Sequence, residues 1–219
     1  MLFLFSVMAH PFVTYAEGKY RKLLSEECIR LFSKTKMPSH DHLHHERVWQ
    51  NAAMLLEKLY GAGLANDPDL AWKAIIASFF HDTGLTINHG PDHGRESRKL
   101  CSTFLDNTEV SASDRLEILE AVEMHDNKDY TGNSDPASLA AILSVADDMD
   151  AFGVTGIERY REIYSMRGIS EAEMPELIIP NVISRFRHLE TTYGMFTDLV
   201  EEMRDRAETV INHYKKIPE

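Results

Sequence analysis

Apolar residues recur at helical spacing along most of the chain, and glycine or proline marks where each run stops. Leu23, Leu24, Cys28, Ile29, Leu31 and Phe32 predict a helix from Tyr20 to Phe32, closed by Met37-Pro38. A second helix is expected from about Leu43 to Tyr60, with Val48, Ala52, Leu55, Leu56 and Leu59 on one side and Gly61-Ala62-Gly63 as its stop. The third begins near Asp69 and carries Ala71, Trp72, Ala74, Ile75, Ile76, Ala77, Phe79 and Phe80. It is apolar nearly all round, which makes it the expected central, buried helix. Its run ends at His81-Asp82-Thr83-Gly84, where Gly84 is expected to supply a left-handed terminating residue.

A fourth helix should start near Pro91 and present Ser97, Leu100, Cys101 and Phe104. Ser111 to Asp114 offers caps for a fifth, which presents Ile118, Ala121, Val122 and His125. Asp135-Pro136 opens a sixth that carries Leu139, Ile142, Leu143 and Ala146 into Asp147. Beyond Gly153, helices are expected over about Gly156 to Met166, Asn181 to Tyr193 and Thr197 to Tyr214, with Pro175 and Pro180 breaking the link between the first two. No alternating strand, internal repeat or low-complexity linker interrupts the pattern, so the fold class is all-α.

Length and charge narrow the function. A chain of 219 residues, 43% of them hydrophobic, suits one domain spanning 1–219. Thirty-five acidic against 23 basic residues give a formal charge of −12, which disfavours binding to long nucleic acid or to an anionic membrane. No run approaches the ~20 apolar residues of a membrane helix. Met1 to Ala9 is apolar, but it lacks a basic leader and a small-residue cleavage site. It is expected to be an arm that packs on the domain or on a second subunit of a homodimer, or the product of a start codon set too far upstream. Cys28 and Cys101 form no CxxC pair, which fits a reducing cytoplasm.

Candidate chemistry gathers in three places. Four of the 11 histidines fall in His40-Asp41-His42-Leu43-His44-His45. His81-Asp82 ends the most apolar helix, and Asp147 follows Leu143 by four positions on a core-facing stripe. A buried carboxylate without a partner costs several kcal/mol, so Asp147 requires a proton, a salt bridge or a metal.

The order Ser39-His40-Asp41-His42-Leu43-His44-His45-Glu46-Arg47-Val48, Ala77-Ser78-Phe79-Phe80-His81-Asp82 and Val145-Ala146-Asp147-Asp148-Met149-Asp150-Ala151 resembles the HD-domain superfamily of metal-dependent phosphohydrolases. It is close to small bacterial members with SHDxxHxxRV and ADxLDAxG motifs, with Met149 standing where the second motif has leucine. The resemblance covers about residues 38 to 153, and the C-terminal helices over about 154–216 are additional. It implies an HD-type helical bundle in which His44, His81, Asp82 and Asp147 ligate a metal. Two imidazoles and two carboxylates suit Mn, Fe, Co, Ni or Zn, and Mg less well. His81 and Asp82 point about 100° apart on a regular helix, but they can converge where Gly84 ends it.

His93 and His125 head and end their apolar stripes and are candidates for a second ion bridged by Asp82. The two-metal branch of the superfamily, however, has paired histidines where this chain has His125-Asp126. Lys128 is the expected contact for an anionic substrate, with Arg159 and Arg161 as secondary candidates. Arg47 is expected to bind phosphate or to form a structural salt bridge. Asp41 and His40 are read as cap or support for His44, whereas His42, His45, His89, His188 and His213 are read as solvated.

The resemblance implies hydrolysis of a small phosphate ester, such as a nucleotide, by metal-activated water, with Asp82, Lys128, His93 and His125 in catalytic roles. A di-iron oxygenase on the same framework and a non-catalytic nucleotide- or metal-sensing module are the alternatives.

Overall fold

The computed structural model describes residues 9–35, 37, 39, 41–90, 92–127 and 135–217. Among these residues the chain is helical, with no strand. In chain order the helices are α1 (Pro11–Ala16), α2 (Lys22–Phe32), α3 (His42–Gly61), α4 (Leu70–Phe80), α5 (His93–Leu105), α6 (Ala112–Met124), α7 (Leu139–Asp150), α8 (Gly153–Met166), α9 (Met174–Tyr193) and α10 (Thr197–Tyr214). A π turn, Glu17–Arg21, joins α1 to α2, and a 3-10 turn, Thr83–Thr86, follows α4.

Helix α4 is the central element, as its all-round apolarity predicts. Leu70, Ala71 and every residue from Lys73 to Phe80 are buried. It packs against α3, α6 and α7, while α3 also lies along α7. The C-terminal helices close over this core through α7 against α9, and α8 and α9 against α10. One apolar cluster runs through all of them, from Val13 to Tyr214. The buried Lys73 ammonium meets Glu117 at 2.7 Å and Asp67 at 3.3 Å, which ties α4 to α6 and to the loop before α4.

Four local expectations need correction. Helical structure begins at Pro11, earlier than Tyr20, because Pro11 suits a first turn and His10 Nδ1 accepts from the Phe12 N–H. The start of the apolar N-terminal stretch, residues 1–8, lies outside the described residues. Gly84 does not take a left-handed conformation; among the described residues the positive-φ glycines are Gly63, Gly153 and Gly168. Its role is contact: a Cβ there would stand 2.0 Å from the His93 carbonyl oxygen and 2.6 Å from the Ser97 nitrogen.

Pro175 and Pro180 do not break the chain between helices, since both lie within α9. Pro175 falls in the first turn, where an amide hydrogen is not needed, and burial of Ile178, Val182 and Leu189 holds the helix together past Pro180. Finally, α8 begins at Gly153, whose φ of +72° turns the chain out of α7 and directly into the next helix.

Candidate metal centre

Helix ends build the site. Asp41 caps α3 by accepting from the Leu43 N–H at 2.9 Å, which sets His44 in the first turn, facing inward. Helix α4 ends at Phe80, His81 keeps helical angles, and Asp82 leaves them at φ −106°, ψ 7°. That change at Asp82, in place of a left-handed Gly84, lets the neighbouring His81 and Asp82 aim at one point. Asp147 comes from α7, which Asn51 ties to α3 by donating to the Ala146 carbonyl at 2.9 Å.

The four residues expected to ligate metal meet in the core, each at most 5% exposed. His44 Nε2 and His81 Nε2 are 3.1 Å apart. Asp82 Oδ2 lies 3.4 Å from the first and 3.6 Å from the second, and Asp147 Oδ1 lies 3.7 Å and 3.9 Å from them. An ion with bonds of about 2.1 Å holds adjacent donors roughly 3.0 to 3.4 Å apart, close to this spacing. His44, His81 and Asp147 form one grouping able to hold a metal ion, and His81, Asp82 and His125 form another.

The far nitrogens are engaged as metal-bound imidazoles require. His44 Nδ1–H donates to Asp150 Oδ2 at 2.7 Å, and His81 Nδ1–H to the Ser78 carbonyl at 2.8 Å. His125 Nδ1–H donates to Val122 at 2.8 Å and His93 Nδ1–H to Gly90 at 2.9 Å. His93 and His125 both face Asp82 Oδ1, at 3.3 Å and 2.9 Å. The Asp82 carboxylate therefore presents Oδ2 to His44 and His81 and Oδ1 to His93 and His125.

Protonation follows from burial and these neighbours. Burial lowers His81 to about 3, so it is neutral. Burial opposes ionisation of Asp82, but hydrogen bonds from His125, His44 and His93 outweigh it and hold the carboxyl well below its usual range. Burial and Arg159 push His44 down, yet Asp150 and Asp82 prevail and raise it. Burial likewise opposes the charge on His93, but Asp82 raises it to about 9.

Sequence reasoning missed much of the surrounding shell. Asp150 accepts from His44, from Arg47 at 2.7 and 3.1 Å, and from Arg159 at 3.1 Å. Arg47 thus forms the structural salt bridge. Arg159 Nη2 also meets Asp147 Oδ1 at 3.2 Å and lies 3.4 Å from His44 Nε2. Arg185 joins Asp147 Oδ2 at 3.3 Å to Asp148 Oδ1 at 2.7 Å. His188, expected on the open surface, is mostly buried and lies 2.9 Å from Asp148 Oδ2.

His45 is also not solvated. It is fully buried between Phe32 and His81, with ring centroids 5.1 and 4.9 Å away, because α3 is wedged between α2 and α4. Burial holds it well below its ordinary pKa and therefore neutral. Arg161 is exposed and does not line the cleft. Lys128 and His40 lie outside the described residues.

A cleft of about 270 Å³ opens onto Asp82, His93, His125 and Asp147. Its other wall comes from the C-terminal helices and includes Arg159, Tyr160, Ile163, Tyr164, Asn181 and Arg185. Of the two arginines named as secondary candidates, Arg159 lines this cleft, and Arg185 lines it as well. Among the described residues, no helix is long and apolar enough to cross a membrane.

No family model matches the chain, and no curated protein matches it significantly. A crystal structure of a Lactobacillus plantarum protein is similar, with a TM-score of 0.59 and 16% identity over 95% of this chain and 96% of that one. At that identity the likeness is one of fold alone.

Proposed function

We propose that this protein is an HD-type, metal-dependent phosphohydrolase acting on a small phosphate ester, such as a nucleotide. The observation that carries the metal is the 3.1 Å separation of His44 Nε2 and His81 Nε2, whose Nδ1 hydrogens are both directed elsewhere. Two imidazole nitrogens so placed, with Asp82 and Asp147 beside them, are stabilised by a shared cation. The mixed nitrogen and oxygen donors favour Mn, Fe, Co, Ni or Zn over Mg.

A divalent ion there would activate a water and polarise a phosphoryl oxygen. The chain's own groups do the rest. Asp147 and Asp82 supply the negative charge that retains the ion, and the carbonyl and carboxylate partners of the histidines fix their tautomers. Arg159 and Arg185 line the cleft where a phosphate would enter and offset its charge. Tyr160, Ile163 and Tyr164 offer an aromatic and apolar wall to the organic part of the ester. A cleft of about 270 Å³ suits a small molecule, and the charge of −12 argues against a polymeric nucleic acid. Buried, free Cys28 and Cys101 fit a reducing cytoplasm.

The test is reconstitution of metal-free protein with Mn, Co, Ni, Fe or Zn, followed by a panel of phosphomonoesters, phosphodiesters and nucleotides. Release of phosphate or nucleoside that requires metal and disappears in His81→Ala is the expected result. Metal-loaded protein that hydrolyses none of them contradicts the reading. The two-sided Asp82 also supports a di-iron oxygenase as a second reading, which oxygen consumption by the Fe(II) protein would reveal.

A further inference from the structure

Asn181, on α9, lines the cleft with one side of its amide engaged and the other open. Its Oδ1 accepts from Arg185 Nε–H at 2.9 Å and from the Tyr160 hydroxyl at 2.7 Å. An arginine Nε–H can only donate, so the atom of the amide that faces it must be the oxygen. Burial raises the Tyr160 hydroxyl to about 12, which keeps it protonated and able to donate as well. The amide is therefore held with its oxygen against the protein and its nitrogen turned away. Among the described residues no acceptor takes the Nδ2 hydrogens, and Nδ2 is not a buried atom.

Arg185 also fixes where that nitrogen lies. Its Nη1 meets Asp147 Oδ2 at 3.3 Å and Asp148 Oδ1 at 2.7 Å, so one guanidinium group spans from a candidate metal ligand to Asn181. The two residues are four apart on α9 and neighbours on one helical face. The open amide thus stands one guanidinium group away from Asp147 along the cleft wall.

We propose that Asn181 is a specificity-determining residue, which donates from Nδ2 to an acceptor oxygen of the group attached to the scissile phosphorus. The inference rests on the reading of this cleft as a phosphate-ester site. A phosphoryl group held beside His44, His81, Asp82 and Asp147 brings the rest of its molecule against this wall. An amide that shows only N–H selects for acceptors there. A carboxylate or a second phosphoryl group satisfies it, whereas an alkyl group displaces its water and gives no partner in return.

Asn181→Asp separates this role from a structural one. It keeps an oxygen for Arg185 and Tyr160 and exchanges only the open N–H group for an acceptor. Asn181→Ala removes the donor without adding charge.

The experiment is calorimetric titration of Mn(II)-loaded protein, at fixed free Mn(II), with three phosphonates that cannot be hydrolysed. Methylphosphonate has no second acceptor group, phosphonoacetate adds a carboxylate, and methylenediphosphonate adds a phosphoryl group. Wild type should bind at least one of the last two tenfold or more tightly than methylphosphonate, and the tighter of them names the acceptor. Both variants should lose at least fivefold of that advantage, with methylphosphonate affinity within threefold of wild type. An advantage kept in either variant overturns the inference. Equal binding of all three by wild type also overturns it and leaves the phosphate-ester reading standing. Binding of none of them overturns both.

Discussion

Asp150 Oδ2 accepts the His44 Nδ1 hydrogen at 2.7 Å, at the buried centre of a contact that joins the first turn of α3 to the last residue of α7. The same carboxylate holds Arg47 and Arg159. It orients the imidazole, raises its basicity toward a metal and pairs with two guanidinium groups. Removing it should therefore affect both metal affinity and stability.

Asp150→Asn keeps the shape and loses the charge. Metal affinity should fall 10- to 100-fold, measured by competition with a chromophoric chelator. Asp150→Ala also leaves Arg159 without one of its buried carboxylates and should cost about 3–5 kcal/mol in denaturant unfolding. Unchanged affinity in both variants would show that His44 is oriented by packing alone.

His45→Leu should behave differently from any change at His44. Among the described residues, His45 Nε2 is buried without a hydrogen-bond partner, and its Nδ1 contact to the Ser78 carbonyl is long at 3.3 Å. A buried polar atom in that state is a cost, so an apolar replacement of similar size should be neutral or stabilising within about 1 kcal/mol. Metal content should stay at the wild-type level by elemental analysis. Loss of metal would place His45 among the ligands.

Much of this was legible along the chain, and the illegible parts share a cause. His81-Asp82 stood out because the most apolar helix ends there, and Asp147 because its spacing from Leu143 puts a carboxylate on a buried stripe. Asp150 was within reach as well, three residues after Asp147 and so on the same helical face, but a carboxylate that serves another residue leaves no mark of its own in sequence. Arg185, Asn181 and Tyr164 reach the cleft only because α8 and α9 fold back over α7, a tertiary fact with no local signal. His45 was misread because adjacent histidines look like a solvated run until α2 is seen covering one side of α3.

Gly84→Ala should disturb the site without replacing a ligand. The added methyl would meet backbone atoms of His93 and Ser97, which cannot rotate away, so α5 must shift. A stability loss of about 1–3 kcal/mol or more is expected in thermal or denaturant unfolding. Metal retained by the inner four ligands should survive, since His93 is the group displaced. A variant as stable as wild type would mean that the turn and α5 do not pack this closely in solution.

The thiols offer a test of the core that is independent of metal. Cys28 and Cys101 are at most 1% exposed, and burial raises both well above the ordinary thiol range. A raised pKa keeps the unreactive protonated form at neutral and mildly alkaline pH. Native protein at pH 8 should thus resist iodoacetamide, with both cysteines alkylated once denaturant is added, as mass spectrometry would show. Rapid labelling of either residue in the native state would contradict the packing of α2 or α5.

The most direct measurement is metal content per chain for wild type and Asp82→Ala, each purified without tag or chelator, incubated with Mn(II) and passed through a desalting column, with helix content followed by circular dichroism. Asp82 touches every imidazole of the cluster, through Oδ2 to His44 and His81 and through Oδ1 to His93 and His125. Wild type should retain at least one ion per chain and Asp82→Ala essentially none, with both equally helical. Equal metal in the two proteins, or none in wild type, would contradict the assignment of this cluster as a metal centre.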